Sequence, residues 1–246
     1  MSTKLAPPAG PARPGRVIAL HCSGAGPGQW RQLAEALGPD YELVAPEHYG
    51  CDSTGHWTGG ERFTLANEAA RTIQLIDASD QKVHLAGHSY GGGVALHVAL
   101  ARPHRIASLT LYEPSAFHLL RAVGDRGALA FAEIAAVACK TGESVRAGDH
   151  VRAAMAFVDY WSGAGAWAAL RPTIRAALVR WVPKAPLDFR ALMEEPTPLS
   201  AYAALTMPIL VMRGDRGPHA WSRSCCRPCC RPHVRSLSQG LATWVL

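Results

Sequence analysis

Gly87-His88-Ser89-Tyr90-Gly91 places a serine where nucleophilic chemistry would need one. It follows the short apolar run Val83-His84-Leu85-Ala86 and leads into Gly92 to Ala101, which reads as a helix stopped near Pro103. A serine in a sharp strand-to-helix turn is held in a strained backbone conformation, so small residues must flank it. Gly87 and Gly91 give that room, while Gly92 and Gly93 let the helix pack closely on a sheet. The serine Oγ would then stand clear of the sheet with a helix N-terminus behind it, where partial positive charge favours a developing anion. The five-residue pattern is weak by itself. The strand before it and the helix after it give it weight.

The elements that must position this serine alternate as a parallel sheet with crossover helices requires. Val17 to Leu20 reads as a strand, Gln29 to Leu37 as a short helix, and Tyr41 to Ala45 as a strand ending at Pro46. Leu65, Ala69, Ile73 and Ile76 fall at helical spacing within Phe63 to Ile76. Val83 to Ala86 is the strand that delivers the serine, and Ile106 to Tyr112 is the next. From about Phe117 to Leu205 the chain turns Ala- and Trp-rich and helical, punctuated by Pro172, Pro183, Pro186, Pro196 and Pro198. Strand pattern returns at Pro208 to Gly214, and there is no internal repeat.

On these residues the chain resembles the α/β-hydrolase family over about residues 16 to 217. Val17-Ile18-Ala19-Leu20-His21-Cys22-Ser23-Gly24 is similar to the family's early strand and its His-Gly turn, with Cys22 where glycine is usual. Backbone N–H groups do the stabilising there, so a side-chain change is tolerable. The resemblance implies an oxyanion hole made by the amides of Ser23 and Tyr90. It also implies a doubly wound α/β fold whose helical stretch is a cap over the pocket. The expected division is a flexible leader at 1–15, a core at 16–116 and 206–218, a cap at 117–205 and an aberrant tail at 219–246. Trp161, Trp167 and Trp181 are candidates to line the pocket, although packing anchors within the cap is the plainer reading of any one of them.

A serine hydrolase needs a base for the serine and a carboxylate to orient that base. Glu113 closes the strand Ile106 to Tyr112 just before Pro114, and Asp215 follows the strand Pro208 to Arg213. Most family members carry the acid after the later strand, and some carry a glutamate after the earlier one. Glu113 is the preferred acid here, with Asp215 as the alternative.

The family's base is a histidine after the last strand, and beyond Gly217 only His219 and His233 occur, neither after a strand. The segment Trp221 to His233 has no hydrophobic period and holds four of the seven cysteines within six residues. Adjacent cysteines with intervening prolines are poor tetrahedral geometry for one metal ion, so no metal site is expected. The genetic code suggests another origin. When each codon is read from its third base, a Cys-Cys pair encoded TGY-TGY gives YTG, which is always leucine. The base before each pair gives leucine, methionine or valine. The shifted segment then shows the i, i+1, i+4, i+5 apolar stripe of an amphipathic helix. Gly240 to Leu246, shifted likewise, permits Pro-Gly-His-Met-Gly-Pro, similar to the way the family presents its catalytic histidine. The tail thus reads as a frameshifted translation beginning between about Asp215 and His219, with the last helix, last strand and base lost.

The remaining numbers bound the function. At 48% hydrophobic and 18% charged over 246 residues, the composition is that of an ordinary globular enzyme. The net charge of +6 comes from scattered basic residues without an aromatic-laced stripe, so nucleic acid is not an expected partner. No apolar run approaches a membrane span, and the Pro-, Ala- and Gly-rich start lacks an apolar signal core, so a cytoplasmic location is the default expectation. The expectation is a cofactor-free hydrolase acting on an ester, thioester, lactone or similar small-molecule bond, impaired by loss of its histidine. A non-catalytic small-molecule-binding homologue is the alternative.

Overall fold

The alternating runs form, in a computed structural model of the chain, a sheet of five strands; the structure describes residues 14–60 and 62–213. The strands are β1 (Gly15–Leu20), β2 (Tyr41–Val44), β3 (Val83–His88), β4 (Ile106–Tyr112) and β5 (Ile209–Met212). All pair in parallel in the order β2-β1-β3-β4-β5. The helices of the first half are α1 (Arg31–Leu37), α2 (Leu65–Asp77) and α3 (Tyr90–Ala101). Right-handed crossovers in this strand order put α1 on one face and α2 with α3 on the other, and α2 and α3 do pack together.

Local chemistry sets these boundaries. Thr64 and Asn67 form a reciprocal capping box at the start of α2, whose buried face is Leu65, Glu68, Ala69, Thr72 and Ile76. Ile73 is only partly buried, and a carboxylate, Glu68, occupies a place on the apolar stripe. β3 continues past Ala86 to His88 because β4 offers partners, Gly87 opposite Leu111 and His88 opposite Tyr112. α3 starts two residues before the reading from sequence, since the Ser89 carbonyl accepts from the amides of Gly92 (2.9 Å) and Gly93 (3.2 Å). The core runs through Ile18, Leu20, Leu85, Val94, Val98 and Leu109, all essentially inaccessible, as expected of a parallel sheet covered on both faces.

β1 leads out to β2 on one side, while β3 lies on its other side. The carboxyl ends of β1 and β3 therefore flank the reversal of strand order, the crevice where open α/β sheets bind ligands.

Between Tyr112 and Ile209 the described chain is helical. A 3₁₀ turn at Phe117–Ala122 precedes α4 (Gly124–Arg146), α5 (His150–Ser162), α6 (Ala166–Ala169), α7 (Pro172–Trp181), α8 (Ala185–Met193) and α9 (Leu199–Tyr202). This segment has a small core of its own, with Ala153, Ala154, Val158, Trp167, Trp181, Val182 and Ala185. Trp161 instead stacks parallel to Phe117, with ring centres 6.2 Å apart, and packs on the main core. The three tryptophans thus act as packing anchors. Among the described residues no helix is long and apolar enough to cross a membrane.

Candidate active site

Ser89 occupies the turn between β3 and α3 with φ 52 and ψ −117. A non-glycine residue at positive φ is costly and persists only where its surroundings over-determine it. They do so here. A β-carbon on Gly91 would stand 2.3 Å from the Leu20 carbonyl oxygen, and one on Gly87 would stand 2.4 Å from that of Gly91. Both flanks must be glycine for the turn to close against β1.

The Ser89 amide donates to the Tyr112 carbonyl (3.0 Å), and the Ser89 carbonyl accepts from the Ser115 amide (3.0 Å). The Ser89 and Ser115 hydroxyls lie 3.3 Å apart. These bonds clasp the exit of β4 from both sides of Glu113, which itself has φ 44 and whose amide donates to the Met212 carbonyl (2.9 Å). Ser89 and Glu113 therefore close adjacent strands, half-buried Glu113 one strand over from the serine. Asp215 lies outside the described residues, as do the leader before residue 14 and the tail.

The turn after β1 brings Ser23 to the same end of the sheet. The Cys22 amide is taken up by the Gln29 side chain (3.0 Å), whose amide nitrogen also donates to His88 Nδ1 (3.1 Å). Gln29 thus ties the turn after β1 to the residue preceding Ser89. The amide of Tyr90, at the first position of α3, has no partner within the helix. The helical segment roofs the β1 turn. A β-carbon on Gly24 would meet Leu178 Cδ2 at 2.7 Å and Trp181 Cε3 at 3.1 Å.

No histidine among the described residues bonds to the Ser89 hydroxyl. His21, directly after β1, is fully engaged elsewhere. Its Nε2 accepts from the His48 amide (3.2 Å), so the proton sits on Nδ1 and is donated to the Cys22 carbonyl (2.8 Å). Burial, with His48 beside it, lowers its pKa to about 3. Burial likewise brings His88 down to about 4. The Cys22 thiol is pushed up to about 12 by burial, which rules it out as a nucleophile at neutral pH.

One further cluster was not visible in the sequence. Lys184, in the 3₁₀ turn Val182–Lys184 just before α8, is 1% exposed. Its ammonium donates to Glu68 Oε2 (2.7 Å), to Asp188 Oδ1 and to the Tyr90 hydroxyl (3.4 Å). Tyr90 in turn donates to Glu68 Oε2 (2.7 Å), and the Ser23 hydroxyl donates to Asp188 Oδ2 (2.9 Å). Glu68 Oε1 accepts from the Tyr49 amide (2.9 Å) and faces His48 Nδ1 at 3.5 Å. Burial opposes ionisation of Lys184, but the Asp188 and Glu68 carboxylates outweigh it and raise its pKa. Burial also works against the Glu68 carboxylate, yet His48 and Lys184 hold it far below the usual range. Ser115, Gln29, Glu68, Lys184 and Asp188 escaped the sequence reading. Of these, only the Glu-Pro-Ser exit of β4 carried a local signal.

Residues 15–215 match the alpha/beta hydrolase fold family. Lipase LipV of Mycobacterium tuberculosis is 36% identical over 107 residues, covering 43% of this chain and 40% of the lipase. A 2-hydroxy-6-oxo-6-phenylhexa-2,4-dienoate hydrolase of Burkholderia cepacia is 31% identical over 102 residues, covering 40% of this chain and 36% of that enzyme. The chain thus spans about two fifths of the length of these curated relatives. A hydrolase structure from Pseudomonas aeruginosa superposes with TM-score 0.68 at 24% identity, over 94% of this chain and 83% of that one. The enol-lactonase of Burkholderia xenovorans superposes with TM-score 0.65 at 15% identity, over 93% and 84%. Sheet order, the serine turn at the reversal of strand order and the extent of the match agree: the chain belongs to the alpha/beta hydrolase fold family.

Proposed function

We propose that the chain derives from a serine hydrolase acting on an ester, thioester, lactone or similar bond of a small molecule, with Ser89 as its nucleophile. The observation that carries this reading is Ser89 itself, a non-glycine residue at φ 52 beside the strand-order reversal. In this reading Ser89 Oγ attacks the carbonyl carbon and the amides of Ser23 and Tyr90 take the developing oxyanion. Glu113, with Asp215 as the alternative, orients a histidine. The helical segment 117–205 is the cap that shapes the pocket. The relatives named as a lipase and as a dienoate hydrolase support the breadth of substrate class without selecting within it.

The base belongs to the shifted-frame tail, so the chain as written is a poor enzyme. Without a base, Ser89 stays a protonated hydroxyl helped only by the oxyanion amides. A second reading, a binding protein that keeps the pocket, is favoured by one observation: the Ser89 hydroxyl bonds to Ser115. A fluorophosphonate probe separates the two. Labelling at Ser89 of the chain carrying the shifted-frame tail, abolished in Ser89→Ala, supports the serine hydrolase. A folded chain with that tail that never labels supports the binding protein.

A further inference from the structure

Resting on the proposed use of Ser23 and Tyr90 as the oxyanion residues, we infer that buried Lys184 is a positioning residue that fixes both from one point in the helical segment. Each of those residues contributes a backbone amide to the reaction, and each has its side chain bound into the same cluster. Tyr90 reaches Lys184 directly and through Glu68, while Ser23 reaches it through Asp188. Ser23 and Lys184 come from elements far apart in the chain, the turn after β1 and the start of α8. The ammonium, bonded to Asp188, Glu68 and Tyr90 at once, therefore couples both residues to the segment above them.

Stability alone is a poor reason for such a cluster. A buried ammonium with two carboxylates must be taken out of water, and a well-packed apolar replacement is often no less stable. What the charged cluster supplies is direction. Lys184 has three donors, and the structure aims them at Glu68, Asp188 and Tyr90. Its stem lies against the backbone after β2, where a β-carbon on Gly50 would stand 3.2 Å from Lys184 Cβ. The ammonium also sits over the Phe63 ring, 4.5 Å from its centre. Oxyanion stabilisation depends on donors held in place before charge develops, so a cluster that stops both turns from relaxing acts on the chemical step rather than on binding.

The test uses the full chain with three changes: Lys184→Met, the charge-balanced pair Lys184→Met with Glu68→Gln, and Ser23→Ala. Two quantities are read. One is the reaction of Ser89 with a fluorophosphonate, split into reversible binding and bond formation. The other is amide hydrogen exchange in peptides spanning residues 21–25 and 89–92. Lys184→Met and the balanced pair are expected to slow bond formation at least ten-fold with reversible binding within two-fold. Exchange should quicken at both turns, with α4 and α5 unchanged. Ser23→Ala should show the same split, more weakly, with exchange faster at 21–25 only. Bond formation within two-fold of the parent in the folded balanced pair would overturn the inference, as would faster exchange spread over the whole helical segment. If the parent chain never reacts, its missing base accounts for that, and exchange alone decides the positioning role. Loss of protection at both turns upholds it, and unchanged protection refutes it.

Discussion

Ser89 and Glu113 leave neighbouring strands in the left-handed region, at φ 52 and φ 44, and among the described residues no other non-glycine residue does so. Their settings differ. The Ser89 turn is locked by its own neighbours, Gly87 and Gly91, pressed against backbone oxygens of α3 and β1. The Glu113 turn has no such wedge and is followed by Pro114 and Ser115. It is held largely from outside, through Ser115 and Tyr112 to Ser89 and through the Glu113 amide to Met212. Strain at the first turn is built in by sequence, whereas strain at the second is imposed by partners. Changes at the first should therefore damage both turns, and changes at the second should stay local.

The largest expected effect concerns what the two turns serve. With the tail translated in the shifted frame, ending in Gly-His-Met-Gly-Pro, hydrolysis of a p-nitrophenyl ester should rise by about 10³-fold or more over the chain as written. In that repaired protein Glu113→Gln should cost about 10⁴-fold in kcat, as loss of an orienting carboxylate does, and Asp215→Asn much less. The reverse ranking would move the role to Asp215.

Next comes the wedge. Gly91→Ala drives a β-carbon into the Leu20 and His21 carbonyl oxygens, which cannot swing aside. Urea unfolding should show a loss of about 3 kcal/mol together with loss of fluorophosphonate labelling. Gly28→Ala, whose β-carbon would meet only Arg31 Nη2 at 3.9 Å, is the control and should cost little.

Acid should weaken the first turn by another route. His88 and His21 stay neutral when folded, with pKa values brought from 6.5 to about 4 and about 3. Below pH 6.5 the unfolded chain takes up protons that the folded chain refuses, so stability falls as pH falls. By pH 4 His88 alone should account for a loss of about 3 kcal/mol. The depressed Glu68 adds to the loss below its usual 4.5, while Asp188, pushed up by burial, opposes it. Melting temperatures of the parent and His88→Gln across pH 7 to 4 check this; the variant should show the shallower slope.

The smallest effect has the opposite sign. Glu113→Gly relieves a strained φ without disturbing a wedge, and should stabilise the fold by about 1 kcal/mol even as it removes the carboxylate. A neutral or destabilising result would mean that the Glu113 side chain contributes more to the fold than its backbone costs.

Much of the fold could be read from the sequence because a parallel sheet writes itself as separated apolar runs. β4 was bounded correctly at Ile106 and Tyr112, and the helical stretch after Phe117 stood out by its change of pattern. The start of α3 was harder to see because glycine is a poor helix former, and only packing against Pro114, Leu192 and the sheet makes Gly91, Gly92 and Gly93 helical. The serine was legible through its flanking glycines. The Lys184 cluster was not. A lysine and an aspartate four apart look like a solvated helix face, and Glu68 sits 116 residues before the lysine that neutralises it. Periodicity reports which face is buried, but not which charges meet beneath it.

The buried Cys22 has an outcome in oxidative chemistry. Peroxide and alkylating reagents act on the thiolate, and a thiol pushed up to about 12 supplies almost none at physiological pH. Cys51, across the same turn and raised to about 11, is nearly as inert. The two sulfurs at the turn after β1 should therefore stay reduced and unmodified in the folded protein, so iodoacetamide should leave that turn chemically untouched.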